Sequence, residues 1–145
     1  EVGLNSRLDS IQAAVLLAKF PYLAAWGARR RELAALYSAA FAGVAGVTPP
    51  PVDPANEHIF HQYTIRAERR EALLAHLKSR GIGHKVYYPL ALHLQPCFEY
   101  LGVRAGALPI TERATAEVVS LPIYPELTSA QTDAVIAAVR EFYQG

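Results

Sequence analysis

The sequence contains no methionine and only one cysteine, Cys97, among its 145 residues. A single cysteine cannot form an internal disulfide, which favours a reducing compartment such as the cytoplasm. We expect Cys97 to be an inert thiol, because no basic residue adjoins it in the sequence. Methionine is missing even at position 1, so the sequence also predicts that this chain is a piece cut from a longer protein.

The sequence also lacks an excess of charge of either sign. Its 14 lysines and arginines and 13 acidic residues give a net charge of +1, and no basic block is segregated. Nucleic acid is therefore not an expected partner. The longest apolar run, residues 13–18, is far shorter than the roughly 18 residues of a membrane span, so no membrane partner is predicted either. The hydrophobic fraction of 52% predicts a globular protein.

Several motifs that would indicate a reaction are missing. The sequence has no glycine-rich phosphate loop, no CxxC pair and no nucleophile elbow. His58 and His61 have an HxxH spacing, but on a strand they would point to opposite faces and form a poor metal pair. The acidic residues form no evident pair. Composition and spacing alone predict an α/β fragment with one ligand loop, without indicating its reaction.

The amino-terminal stretch predicts a long helix, because its apolar residues recur at helical spacing: Leu4, Leu8, Ile11, Val15 and Ala18. Ser6 and Asp9 have the spacing of a capping box. Asn5 would lie just outside the helix, where its side chain and the free amides could face an anion. The simpler interpretation is that Asn5 and Ser6 only cap the helix. Pro21 should end or kink this helix and open a second one over residues 22–41.

The remaining pattern predicts a small sheet covered by helices. We interpret the basic run at residues 29–31 as a solvated helix face and the proline-rich residues 43–57 as a connector. The elements expected beyond it are a strand at 58–66, helices at 68–80 and 110–121, an extended segment at 121–124 and a last helix capped by Thr128 and Gln131. This order predicts an α/β fold, with residues 1–42 forming a helical arm and residues 43–145 a small α/β domain.

The stretch from Gly83 to Leu101 contains the candidate ligand loop. Alternating side chains from His84 to Tyr88 predict a half-buried strand, which Pro89 stops because proline donates no ladder hydrogen bond. Adjacent tyrosines on a strand face opposite ways, so one of Tyr87 and Tyr88 should be buried and the other exposed. Residue type alone favours an ordinary loop histidine at His93. A polar, aromatic rim after a strand is typical of a binding loop.

Four motifs in this order resemble the DegT/StrS-like sugar aminotransferases, which depend on pyridoxal phosphate. Residues 3–15, GLNSRLDSIQAAV, are similar to the family signature GxNSRLDxxQAA, and residues 58–63, HIFHQY, resemble the first strand of its small domain. RGIG at 80–83, followed by YPLALHLQ at 88–95, resembles a family loop, and SLPIYPELT at 120–128 resembles SLPxYPxLT. The resemblance covers nearly all of this chain but less than half of a family chain.

The resemblance implies the carboxy-terminal part of a fold-type I aminotransferase that acts as a cytoplasmic homodimer with pyridoxal 5'-phosphate. It implies that Asn5 reaches across the dimer to the phosphate of the cofactor bound by the other subunit. It also implies that Arg7, Tyr87, Tyr88 and His93 lie near a nucleotide-sugar substrate.

The implied reaction moves an amino group, usually from glutamate, to a keto sugar carried on a nucleotide diphosphate. The cofactor acts as the electron sink, and a lysine forms the Schiff base. We expect that lysine before residue 1, so this chain should contain no catalytic residue and be inactive alone. Tyr87 replaces a histidine common in relatives, which suggests amination at C3. A sugar dehydratase of the same family and a noncatalytic regulatory or partner module remain open alternatives.

Overall fold

Helices and a small sheet alternate along residues 8–145, the part of the chain that the computed structural model describes. The helices are α1 (Ser10–Lys19), α2 (Leu23–Phe41), α3 (Arg70–Ser79), α4 (Pro109–Glu117) and α5 (Ser129–Gln144). The strands are β1 (Val47–Thr48), β2 (Tyr63–Ala67) and β3 (Val118–Leu121). Short 3₁₀ turns occupy Phe20–Tyr22, Leu92–Leu94 and Pro96–Leu101.

Helix α1 begins later than the sequence predicted. Its N-cap is Asp9, whose carboxylate accepts the Gln12 N–H at 2.8 Å while the Gln12 side chain accepts the Asp9 N–H at 3.4 Å. The capping box therefore joins Asp9 to Gln12, so Asp9 is the N-cap of α1 and not the third helical residue that the prediction made it. Asn5 and Ser6 lie outside the described residues. The Asp9 carboxylate thus already occupies one of the helix amides expected to face an anion, that of Gln12.

The predicted break at Pro21 is confirmed, because a 3₁₀ turn separates α1 from α2 there. No side chain of α1 is buried, and Ile11 is 78% exposed. By length and mean hydropathy the run Ser10–Phe41 meets the criterion for a candidate membrane span, although the sequence predicted none. One such run near the amino end is weak evidence, and here the turn at Pro21 interrupts it while the second half of α2 packs into the core.

The sheet is antiparallel, with strand order β1-β2-β3. Tyr63 of β2 pairs with Leu121 of β3, and Ile65 pairs with Val119. All four side chains are buried on the face covered by α2, α3 and α5. The fold class predicted from the sequence, a short sheet covered by helices, is confirmed.

Three predictions about where the chain is extended are wrong. The strand expected at 58–66 begins only at Tyr63, because Phe60 has a positive φ of 48°, which extended backbone does not allow. The connector at 43–57 contains β1, which pairs with the far end of β2. The strand expected from His84 to Tyr88 is reduced to one antiparallel bridge between Lys85 and Ser120.

The helix predicted over 110–121 ends at Glu117, and the next four residues form β3. Val118 continues the helical spacing in the sequence, but Val118 and Val119 are β-branched and also suit a strand, and pairing with β2 decides between helix and strand. The extended segment therefore lies before Pro122 rather than after it. The last helix begins as predicted, with Thr128 accepting the Gln131 N–H in a capping box.

The core joins residues from both sides of position 42. Leu33, Tyr37 and Phe41 of α2 are fully buried in the same apolar cluster as Leu73 of α3 and Val139 of α5. The division at residues 42 and 43 stays a prediction about the longer protein. Within residues 8–145, the second half of α2 belongs to the core of the small unit.

Gly46 offers a test of how tightly α5 packs against the start of β1. It has a φ of +85°, and an added Cβ would lie 2.7 Å from Cε1 of Tyr143, whose hydroxyl donates to the Glu68 carbonyl. Gly43 has a similar φ of +75° but nothing within 4 Å of an added Cβ. Gly43→Ala should therefore lower the free energy of unfolding by about 1–2 kcal/mol through backbone strain. Gly46→Ala should lower it by clearly more, and urea unfolding of both variants measures the difference. Equal losses would mean that Tyr143 moves freely.

Candidate ligand cleft and the loop beside it

A cleft of about 290 Å³ lies beside the bridge that joins Lys85 to β3. Its lining combines imidazole, amide, ammonium and phenol groups with the backbone that leaves β3: His61, Gln62, Gly83, His84, Lys85, Tyr87, Ser120, Leu121, Pro122 and Ile123. No carboxylate is among these residues, so the cleft offers donors to a ligand rich in oxygen acceptors.

Local structure explains how these groups meet. His84 is held by a 3.0 Å hydrogen bond between its Nδ1 and the Ile82 carbonyl. Lys85 exchanges two backbone hydrogen bonds with Ser120, of 3.1 and 2.8 Å. The Ser120 hydroxyl is bound to Thr64 of β2 at 2.7 Å, so the sheet fixes one wall of the cleft. His61 comes from the loop before β2, which the sequence had assigned to the strand itself.

The structure places Tyr87 and Tyr88 differently from the prediction. Both are exposed, at 49% and 63%, because the chain leaves the sheet after the single bridge at Lys85 and loses its strand alternation. The expectation that one of them is buried is therefore wrong. Tyr87 lines the cleft, whereas Tyr88 is not among its lining residues.

His93 is not a free side chain. Its Nε2 lies 3.0 Å from Oε1 of Glu112, and the side chain is only 7% exposed. It borders a different cleft, of about 570 Å³, formed by the loop that includes Gln95, Glu99 and Arg104. The structure thus does not bring Tyr87, Tyr88 and His93 into one cavity. The substrate contact expected for His93 stays a prediction, and this geometry favours an indirect role.

Glu112 is the residue that sequence reasoning missed. Both of its carboxylate oxygens lie 2.9 Å from the Gly106 amide, and Oε1 also accepts the Leu108 N–H at 3.2 Å. The Gly106 amide, with His93 and the Leu108 amide, holds the pKa of Glu112 below its ordinary value against the opposing effect of burial. The 19-residue spacing from His93 gives no sequence signal for this pairing.

The basic run at 29–31 also differs from its interpretation as a solvated face. Arg30 donates to three backbone carbonyls, those of Phe60, His61 and Ile123, at 3.2, 3.2 and 2.9 Å. Arg29 reaches the Leu127 carbonyl at 3.3 Å. Only Arg31 fits the prediction in part, since it pairs with the exposed Glu57. Arg30 therefore holds the His61 side of the cleft to α2.

Two phenols behind the sheet are structural. Tyr37 donates its hydroxyl to the Pro122 carbonyl at 2.9 Å, and the Tyr63 hydroxyl is 2.9 Å from that of Ser38. Burial raises the pKa of both phenols, so each stays neutral. Neither is placed to exchange protons with a ligand.

Residues 8–145 do not form a complete cofactor site. Within that range, no cluster of three or more His, Cys, Asp or Glu side chains could hold a metal ion. Asn5, expected at the cofactor phosphate, and Arg7, expected near the substrate, lie outside the described part. Lys85 alone among the three lysines borders the candidate cleft, and α1 is capped by its own Asp9. The donors of the candidate cleft thus fit a ligand at the edge of a larger binding site, and they do not by themselves form a binding site for pyridoxal phosphate.

Comparison with known proteins decides the family. The model of the DegT/DnrJ/EryC1/StrS aminotransferase family matches residues 1–140. The chain belongs to this family. Members of the family depend on pyridoxal 5'-phosphate, which confirms the cofactor that the sequence predicted for it.

Among the curated relatives, a pleiotropic regulatory protein of Geobacillus stearothermophilus is 49% identical over 99% of this chain and 39% of its own length. A dTDP-3-amino-3,4,6-trideoxy-alpha-D-glucose transaminase of Streptomyces venezuelae is 42% identical over 97% of the chain and 37% of its own length. The crystal structure of S. venezuelae DesV in complex with a ketimine intermediate matches with a TM-score of 0.93 at 41% identity, covering 99% of this chain and 38% of DesV. The chain thus spans about two-fifths of these relatives.

Proposed function

We propose that residues 1–145 are the carboxy-terminal part of a pyridoxal-phosphate-dependent aminotransferase that acts on a nucleotide-linked keto sugar. The observation that carries this proposal is the match to DesV, at a TM-score of 0.93 over 99% of the chain. The similar transaminase of S. venezuelae, 42% identical, supports the same class of substrate. The longer protein that contains this chain is called the parent protein below.

This chain supplies the substrate side of the site rather than its reacting centre. The cofactor, held mainly by the rest of the parent protein, supplies an electron sink for the transfer. Tyr87 and the donors of the cleft bind and orient the sugar nucleotide, and Tyr88 covers it from the adjoining loop. Asn5 contacts the cofactor phosphate of the other subunit, and Arg7 faces the substrate. His61 and Lys85 add N–H donors toward the diphosphate.

The proposal includes the domain assignment and the assembly expected from the sequence. Residues 1–42 end the large domain and connect it to the small domain at 43–145. The parent protein works as a homodimer in the cytoplasm. The exposed apolar side chains of α1, including Ile11 at 78% exposure, support this assembly because a lone helix rarely leaves such a face in water.

Glutamate is the proposed amino donor and C3 the proposed position of amination. The transaminase from S. venezuelae has a 3-amino sugar in its name, which supports C3. NMR of the product identifies the carbon that bears nitrogen. An amino group at C4 would remove the C3 assignment and leave the reaction class unchanged.

The first test is the visible absorption of the parent protein incubated with pyridoxal phosphate. We expect a band of bound cofactor that glutamate abolishes, because the amino group passes to the cofactor and 2-oxoglutarate is released. A separate sample given 2-oxoglutarate should keep its band, since a keto acid has no amino group to donate. A bound cofactor that no amino acid converts would contradict the transfer and favour the dehydratase.

A regulatory function is the second candidate, and one observation favours it. The relative that is 49% identical to this chain is named a pleiotropic regulatory protein. A parent protein that binds no pyridoxal phosphate would support this noncatalytic function over the aminotransferase. Binding of the cofactor with conversion by glutamate would exclude it as the sole role.

A further inference from the structure

We infer that Glu112 is a positioning residue, which with His93 forms a clasp that fixes the loop following the substrate tyrosines. The clasp is defined here as the Glu112 carboxylate with its three partners, His93, Gly106 and Leu108. This inference rests on the proposed function, because it concerns how the loop beside Tyr87 and Tyr88 is held.

One carboxylate closes the loop. Glu112 accepts from the His93 imidazole at 3.0 Å near the beginning of the loop, and from the Gly106 amide at 2.9 Å near its end. The twelve residues between them carry an exposed 3₁₀ turn, Pro96–Leu101. Without the clasp, the entropic cost of closing this loop would favour separation of its two ends, His93 and Gly106.

Glu112 is itself tied to the rigid part of the structure. It lies in the first turn of α4, where the helix dipole favours an acidic side chain. The α4 helix runs directly into β3. Arg70 of α3 donates to the carbonyl of Thr115, a residue of α4. Glu117, one turn later, pairs with Arg66 of β2. The sheet therefore holds α4, and α4 holds the loop.

The clasp also determines what His93 can do. Its Nε2 is engaged and its side chain is 7% exposed, so it is not available as a free donor to substrate. The preceding Ala91 is 2% exposed and accepts the Leu94 N–H at 2.9 Å, which fixes the turn that follows Tyr88. His93 thus acts through the loop that follows Tyr88.

The test uses the parent protein with Glu112→Gln, with His93→Phe, and with both changes. Each single change should raise KM for the nucleotide sugar by about tenfold, since one charged hydrogen bond is lost, while kcat stays within about twofold. The double variant should be no worse than either single one, because both break the same contact. Arg113→Gln is the matched control: it removes a charge next to Glu112 on the same helix, from a side chain that is 66% exposed and outside the clasp, and should leave KM unchanged.

Hydrogen exchange gives a readout that needs no activity. In Glu112→Gln the amides of Gly106 and Leu108 should exchange about tenfold faster or more, and in Arg113→Gln they should not change. Unchanged exchange in Glu112→Gln would overturn the clasp. Additive losses in the double variant, or a fall in kcat with His93→Phe alone, would overturn it in favour of direct contact between His93 and substrate. A parent protein without transferase activity would refute the proposed function, and the exchange measurement would still decide the clasp.

Discussion

Replacing Arg30 by methionine is expected to destabilise the 145-residue chain by about 2–3 kcal/mol, whereas Arg31→Met should cost less than about 1 kcal/mol. Methionine keeps much of the apolar stem of arginine and removes the guanidinium. Arg30 donates to three backbone carbonyls on two separate segments, those of Phe60, His61 and Ile123. Arg31 makes one ion pair with a carboxylate that is 78% exposed. Urea unfolding of the two variants measures the difference.

The same substitution should disturb the candidate cleft. His61 and Ile123, whose carbonyls Arg30 binds, both line it. We therefore expect Arg30→Met to speed amide exchange around His61, while Arg31→Met leaves it unchanged. Similar losses of stability in the two variants would show that Arg30 is only a solvated side chain, as its neighbours in the sequence suggested.

Features set by local sequence were predicted well. The last helix begins where Thr128 and Gln131 form a capping box, and the long amino-terminal helical pattern breaks at Pro21. The family motifs also led to the correct family. These signals lie within a few residues of the feature that they determine, so no knowledge of the tertiary structure is needed to interpret them.

Features set by contacts between distant residues were not predictable. Val118 fits the helical spacing before it as well as the strand that it starts, and only pairing with Arg66 of β2 makes it a strand residue. Phe60 has a positive φ, and its ring lies in the core with residues far along the chain. Glu112 finds His93 across 19 residues. In each case the partner lies far along the chain, beyond the reach of periodicity.

The largest effect on stability is expected next to the domain boundary that the sequence predicted at residue 42. Phe41→Ala is expected to cost about 3–5 kcal/mol, because the ring is fully buried and stacks on Tyr37 with ring centroids 5.9 Å apart. Leu36→Ala on the same helix is the control. Its side chain is 51% exposed, so we expect a loss below about 1 kcal/mol. Urea unfolding of both variants measures the two losses.

This comparison decides whether α2 is only a connecting helix. The side chains that it buries, Leu33, Tyr37 and Phe41, lie in one cluster with Ile65 of the sheet and Val139 of α5. If the small unit were complete from residue 43 onward, Phe41→Ala would cost no more than Leu36→Ala. A large loss at Phe41 would instead mean that the small unit cannot be separated from α2. A chain shortened to residues 43–145 should then fail to unfold cooperatively, because it lacks the helix that covers one side of its core.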